Sequence, residues 1–208
     1  MDGLMIDSER LYIKVESEMA SERGRILTRD VIARMMGRKP IDSMRIFAED
    51  LKITEPPDRL LAERDQRLLI QMEHDLQLMP GLLETIEKFR GRYALSIATG
   101  ATESFLNLTL DRFDLRSYFS VLVSSDAIVN GKPDPEIYLK AIKLLDVPAD
   151  SCVVLEDSGN GVLAGRRAGA YSIAVPSEHT SHQDFSPAHF VARDLSDACA
   201  HVFAMTSN

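Results

Sequence analysis

The chain has 208 residues, 45% of them hydrophobic, which predicts one large domain or a core with an insert. Its net charge of −8 and the lack of a long basic run argue against nucleic acid and anionic membranes as partners. No apolar run approaches the ~18 residues of a membrane span, and no signal segment is recognisable, so we expect a cytoplasmic protein. Two distant cysteines, Cys152 and Cys199, do not indicate a disulfide framework.

Residues 8–79 show helical periodicity and no convincing strand alternation. Ser8 is suited to cap a first helix that runs to about Met19, and Thr28 a second helix that ends at Gly37. Residues 41–51 predict a third helix, and the prolines at 56 and 57 open a long fourth one. We therefore expect a small bundle of four helices over 8–79.

From Pro80 onward, helices alternate with short strands. The predicted strands are 93–98, 121–123, 152–155, 172–175 and 190–192, and the predicted helices are 82–89, 102–113, 135–145, 159–168 and 195–203. This alternation indicates a parallel sheet covered on both faces. The expected fold is an α/β, Rossmann-like three-layer core made of 1–7 and 80–208, with 8–79 as an inserted helical cap.

Polar residues follow several of the predicted strands. Thr99, Lys132 and the pair Glu156–Asp157 each come directly after a strand or in the loop that follows it. Asp2 would hold the same position if a strand preceded it. Because open α/β sheets bind ligands at the carboxyl ends of their strands, we expect these residues to meet at one edge.

Two of these segments suit an anionic ligand and its counterion. Glu156 and Asp157 are hard oxygen donors of the kind that Mg2+ prefers, although Asp157 or Ser158 could instead cap the next helix. Lys132 lies in a loop stiffened by Pro133 and Pro135 and could neutralise a phosphate; the alternative is an ordinary exposed lysine.

The other segments suit binding and proton transfer. The hydroxyl of Thr99 and the amides of Gly100 and Ala101 could hold phosphate oxygens at a helix N-terminus, or Thr99 could simply cap that helix. Asp2 could exchange a proton with a reacting oxygen, whereas its alternative is disorder beside a terminus.

Arg38 and Lys39 follow Gly37 within the helical region. They could reach toward an anionic substrate, or form a solvated basic turn. Each of these signals is weak alone. Their order and spacing along the chain, taken together, form a strong indication.

In that order the residues resemble the haloacid dehalogenase superfamily, in the branch that contains β-phosphoglucomutase and small sugar-phosphate phosphatases. The segment from Asp2 to Glu9 looks like the tail of the first motif, and Thr99 and Lys132 match the second and third. Glu156 and Asp157 match the acidic pair of the fourth. The similarity covers nearly the whole chain, including the helical insert.

The resemblance implies a mechanism in which an Asp attacks phosphorus and becomes an aspartyl phosphate. By the motif match, Asp2 protonates the leaving oxygen, later activates water, and touches Mg2+ through its carbonyl. Thr99 and Lys132 would bind the phosphoryl group, and Glu156 and Asp157 would hold Mg2+. The helical insert would close over the substrate as a lid.

The match to the first motif is incomplete. The attacking Asp would lie two residues before Asp2, a position that the 208 residues do not include, and the core strand leading to it is missing as well. We expect this chain to be impaired, and its full-length form to be a Mg2+-dependent phosphatase of a small phosphorylated metabolite. The natural chain is longer, or a partner supplies the strand, or the protein binds phosphorylated ligands without turnover.

The same residues would serve a phosphomutase of the β-phosphoglucomutase type, and the sequence does not separate the two reactions. A monomer is the default expectation, with association through the gap left by the missing strand as the alternative.

Overall fold

A computed structural model describes residues 1–35 and 40–206 of the chain. The chain divides into two compact units, one made of Met1–Asp7 and Gln77–Asn208, the other of Ser8–Leu76. Arg38, Lys39 and the predicted helix end at Gly37 lie outside the described residues. Over the two described stretches, no helix has the length and apolar character needed to cross a membrane.

The helical unit contains four helices within its described residues: α1 (Glu9–Glu22), α2 (Arg29–Met35), α3 (Pro40–Leu51) and α4 (Pro57–Asp75). α4 packs against α1 and α3, and α2 packs against α3. Their apolar stripes meet in a core whose fully buried side chains include Leu11, Val15, Met19, Met44, Phe47, Leu60 and Leu68.

Two of the predicted helix starts differ in how they are capped. Thr28 caps α2 as predicted, because its Oγ1 accepts a hydrogen bond from the Val31 amide at 3.4 Å. Ser8 directly precedes α1, but its side chain makes no capping bond, since its backbone is already helical at φ −83° and ψ −27°. α1 also continues to Glu22, beyond the predicted end at Met19.

Charged side chains are buried where α1 meets α4. Glu16 is 6% exposed and Arg64 is 4% exposed, with 3.8 Å between Glu16 Oε1 and Arg64 Nη1. Arg64 also pairs with Asp65 at 2.7 Å and lies over the ring of Tyr12. Burial raises the pKa of Glu16 to about 7, and the positive charge of Arg64 only partly opposes that rise.

The α/β unit contains, within its described residues, five α-helices and five strands. The helices are α5 (Leu82–Phe89), α6 (Glu103–Arg112), α7 (Glu136–Leu145), α8 (Gly159–Arg167) and α9 (Leu195–Thr206). The strands are β1 (Ser96–Ala98), β2 (Val121–Val123), β3 (Val153–Glu156), β4 (Tyr171–Ala174) and β5 (Phe190–Val191). All pairings between these five strands are parallel: β1 pairs with β2, and β4 lies between β3 and β5 in a second sheet.

Helices cover both faces of the strands. Successive residues of a strand point to opposite faces, and Val154 packs in the core cluster that includes α7 and α8 residues. Its neighbour Leu155 packs against the cluster that holds Phe89 of α5 and Val202 of α9. The α/β, three-layer prediction is therefore confirmed.

Two strands are shorter than the sequence predicts: β5 ends one residue early, at Val191, and β1 differs more. β1 begins at Ser96 rather than at residue 93. Tyr93 instead packs with Phe89 and Phe203 in the second core cluster, and its hydroxyl bonds to that of Thr206 at 2.6 Å. An apolar run alone did not distinguish a strand from a loop packed on the core.

The first seven residues form a tight turn that belongs to the α/β unit. The Gly3 amide donates to the Ile6 carbonyl at 3.0 Å. At the end of the turn the Asp7 amide donates to the Gln77 carbonyl, also at 3.0 Å. The chain therefore leaves the α/β unit and rejoins it at two residues that are hydrogen-bonded to each other.

Candidate active site

The candidate site lies at the carboxyl ends of β1 and β3. Thr99 follows β1, and Glu156 is the last residue of β3. Lys132 reaches both strands: its Nζ donates to the Ala98 carbonyl at 3.3 Å and also to Glu156 Oε1. One ammonium group thus connects the ends of two strands that belong to separate sheets.

Thr99 brings the first segment of the chain into the same site. It is 1% exposed, its amide pairs with the Val123 carbonyl, and its Oγ1 donates to Asp2 Oδ2 at 3.4 Å. The Ala101 amide, predicted to hold a phosphate oxygen, donates to Thr99 Oγ1 at 3.1 Å. The structure therefore gathers Asp2, Thr99 and Lys132, while the phosphate-binding roles of Gly100 and Ala101 stay predictions.

Glu156 accepts hydrogen bonds at both oxygens of its carboxylate. It is 5% exposed, and its Oε1 accepts from both Lys132 and the hydroxyl of Tyr138. Its Oε2 accepts from the Ser158 hydroxyl at 3.0 Å and from the Ser158 amide at 3.4 Å. These four donors match the roughly four lone-pair positions of an ionised carboxylate. A metal ion bound directly to Glu156 would have to replace one of them.

Glu156 and Tyr138, the two buried titratable groups of this cluster, have pKa shifts of opposite direction. Burial acts to raise the pKa of Glu156, but the charge of Lys132, the charge of the amino group of Met1 and the hydrogen bonds from Lys132 and Tyr138 together lower it to about 2. Burial and the negative charge of Glu156 hold the pKa of Tyr138 well above its usual value. At neutral pH, Glu156 is therefore ionised and the Tyr138 hydroxyl remains a hydrogen-bond donor.

Two glycines make room for the acidic pair. Gly3 has a φ of +67°, and a Cβ at that position would overlap the carboxylate of Asp157. A Cβ at Gly161 would overlap the carboxylate of Glu156. Both glycines therefore let backbone come directly against a carboxylate, and Gly3 places Asp157 beside the segment that carries Asp2.

The loop that carries Lys132 is held at several points. The carboxylate of Glu136 accepts hydrogen bonds from the amides of Val129 and Asn130, at 2.8 and 2.7 Å. Arg167 donates to the Pro133 carbonyl at 2.9 Å. These contacts fix the backbone on both sides of Lys132, so its ammonium group is positioned before any ligand binds.

The donor chemistry of the site fits a magnesium ion. Among the residues that the structure describes, no three His, Cys, Asp or Glu side chains form a ready metal cluster. Mg2+ is usually bound by one or two carboxylates together with water and substrate phosphate, so it does not need such a cluster. Asp157, beside Gly3, and Asp2 supply suitable oxygens, but their roles and that of Glu156 as ligands stay predictions.

Three residues of the site were missed by sequence reasoning: Tyr138, Ser158 and Gly161. Ser158 was considered only as a helix cap, and it does cap α8 by accepting from the Gly161 amide. Tyr138 reads as an ordinary buried position of α7, because its contact with Glu156 joins elements 18 residues apart. No local pattern marks such a contact.

The family model described as "Haloacid dehalogenase-like hydrolase" matches residues 1–175. With the fold and this constellation of residues, the match shows that the chain belongs to the family of haloacid dehalogenase-like hydrolases.

Two curated relatives and one solved structure illustrate the similarity. The chain is 35% identical over 173 residues to a phosphorylated carbohydrates phosphatase of Thermotoga maritima, covering 81% of this chain and 79% of the relative. It is 33% identical over 195 residues to (DL)-glycerol-3-phosphatase 2 of Arabidopsis thaliana, covering 88% and 81%. The structure of CbbY from Rhodobacter sphaeroides in complex with phosphate superimposes with a TM-score of 0.81 at 25% identity, covering 95% and 92%. The two curated relatives are thus named as phosphatases, one of phosphorylated carbohydrates and one of glycerol 3-phosphate.

Proposed function

We propose that the protein is a Mg2+-dependent phosphatase that hydrolyses the phosphomonoester of a small phosphorylated carbohydrate or polyol. The observation that carries the proposal is the meeting of Asp2, Thr99 and Lys132 at the ends of β1 and β3. The named activities of the two phosphatase relatives support the substrate class.

Lys132 and Thr99 bind the phosphoryl group in this proposal. Lys132 is held between the Ala98 carbonyl and Glu156, and the third proton of its ammonium group can point to a phosphate oxygen. The Thr99 hydroxyl, which donates to Asp2 in the structure, can turn its proton to a second oxygen. Both donors are in place before the substrate arrives, which is what phosphoryl transfer requires.

Asp2 acts as the general acid and base. Its carboxylate is half-buried beside Thr99, next to the position proposed for the phosphoryl group. The attacking Asp of the family pattern would lie at the position before Met1, which the 208 residues do not include. When bound beside Asp2 and Asp157, Mg2+ would supply charge neutralisation for the phosphoryl oxygens.

The first experiment concerns phosphate binding by the 208 residues themselves. Calorimetric titration with orthophosphate in the presence of Mg2+ is expected to show one site, and Lys132→Gln and Thr99→Val to weaken it. Val129→Ala, a change at an 86%-exposed side chain, is the control and is expected to bind as the wild type does. Equal affinity in all four proteins would remove the proposal.

The second experiment concerns turnover. A chain that carries an apolar strand ending in Asp before Met1 is expected to release orthophosphate from sugar and polyol phosphates only when Mg2+ is present. Asp2→Asn should abolish that release. The 208-residue chain is expected to be much slower in the same assay. A lack of hydrolysis across the whole panel, with and without Mg2+, would contradict the assignment.

A phosphomutase remains the second candidate reaction, because it uses the same binding residues. Phosphorus NMR with glucose 1-phosphate separates the two. Accumulation of orthophosphate supports the phosphatase, and conversion to glucose 6-phosphate supports the mutase.

A further inference from the structure

Tyr138 contacts both partners of the ion pair between Lys132 and Glu156. It lies on α7, is 6% exposed, and donates its hydroxyl to Glu156 Oε1. Lys132 Nζ lies over its ring, 5.0 Å from the ring centroid. A single side chain therefore holds the carboxylate through a hydrogen bond and the ammonium through its π face.

The Tyr138 hydroxyl affects how the ammonium group of Lys132 is shared between Glu156 and the Ala98 carbonyl. Tyr138 and Lys132 donate to the same oxygen of Glu156, and Ser158 engages the other. Without the hydroxyl, Lys132 would be the only donor left at Oε1 within the part of the chain that the structure describes, and the carboxylate would draw the ammonium group more strongly toward itself. The bond of Lys132 to the Ala98 carbonyl, which keeps it at the end of β1, would weaken as a result.

We propose that Tyr138 is a positioning residue that holds Lys132 in its phosphate-binding place by occupying one acceptor site of Glu156. Tyr138 does not itself touch the phosphoryl group. The inference rests on the proposed function, because it assigns a means by which the same site binds phosphate.

Tyr138→Phe is the direct test, since it keeps the ring near Lys132 and removes only the hydroxyl. We expect its affinity for orthophosphate, measured by phosphorus NMR titration with Mg2+, to fall about tenfold, as for the loss of one charge-assisted hydrogen bond. Tyr171→Phe is the matched control. Tyr171 pairs with Val153 at the opposite end of β3 and bonds to His201, so its loss should leave the affinity unchanged.

A double-mutant cycle separates positioning from general damage. Lys132→Arg replaces the ammonium donor by a guanidinium of different shape. If Tyr138 acts through Lys132, adding Tyr138→Phe to Lys132→Arg should lower the orthophosphate affinity almost no further. If the two losses add, Tyr138 does not act through Lys132 and the inference is overturned. The same conclusion follows if Tyr138→Phe binds orthophosphate as well as the wild type.

A measurement on the wild-type protein covers the case in which Tyr138→Phe does not fold. With ζ-13C-labelled tyrosine, the chain gives five signals, and the signal of Tyr138 is assigned by replacing the other four one at a time. Orthophosphate should shift that signal and leave the Tyr171 signal in place. Phosphate binding with an unmoved Tyr138 signal refutes the inference alone, whereas no phosphate binding by the wild type refutes the proposed function.

Discussion

Replacing Glu16 by Gln should stabilise the helical unit at high pH and have little effect at low pH. The Glu16 carboxyl is buried between α1 and α4, and burial raises its pKa from 4.5 to about 7. Gln has nearly the same shape and needs no ionisation. Arg64 keeps Asp65 as an ion-pair partner at 2.7 Å, so the substitution does not leave a buried cation alone.

The sign and size of the effect follow from proton binding. A group whose folded-state pKa lies above its unfolded value binds more protons when folded, so its contribution is fully present below pH 4.5 and is lost as the pH rises to about 7. A rise from 4.5 to about 7 corresponds to about 3 kcal/mol. The advantage of Glu16→Gln should therefore grow by about that amount between pH 4.5 and pH 8.

Urea unfolding followed by circular dichroism at pH 4.5, 6, 7 and 8 measures this difference. Glu22→Gln is the control in the same helix: Glu22 is exposed, and a hydrogen bond from Arg67 lowers its pKa, so its difference from wild type should stay constant above pH 5. If Glu16→Gln instead destabilises the protein equally at every pH, Glu16 is ionised and paired with Arg64. The argument from burial is then wrong.

Two further predictions concern the site. Gly161→Ala and Gly165→Ala each place a new Cβ on α8 too close to atoms that pack around this helix. Each substitution should therefore lower the free energy of unfolding by about 1–3 kcal/mol. Only Gly161→Ala, whose Cβ meets Glu156, should also weaken orthophosphate binding in calorimetry; a parallel loss in Gly165→Ala would contradict this. Thr99→Val removes the hydroxyl near Asp2 with little change in shape, so orthophosphate affinity should fall five- to tenfold, about 1 kcal/mol, and an unchanged affinity would exclude Thr99 from binding.

Several elements could be predicted because their ends are marked by local chemistry. α5 occupies residues 82–89 as predicted, since Pro80 and Gly81 mark its start and Gly81 adopts the left-handed conformation that favours glycine. β2 also has its predicted bounds, 121–123. β1 was predicted three residues too long, because Tyr93 and Leu95 are apolar residues that pack on the core but lie outside the strand.

The candidate site could be predicted in part for a similar reason. Strand ends point to Thr99 and Glu156, and prolines point to the Lys132 loop, so these residues carry signals near themselves in the chain. Tyr138 has no such signal, because what makes it distinctive is the carboxylate that β3 brings to α7. The acceptor sites of Glu156 could likewise be counted only once its donors were known.

The hydrogen bond between the Asp7 amide and the Gln77 carbonyl has a consequence for how this family could diversify. The 69 residues between them form a compact unit of their own and begin and end at one point of the α/β unit. A different segment, longer or shorter, could be spliced at that point at little entropic cost, because closure cost grows only slowly with length. The whole insert could thus be replaced during evolution while the strands that position Thr99 and Glu156 keep their register.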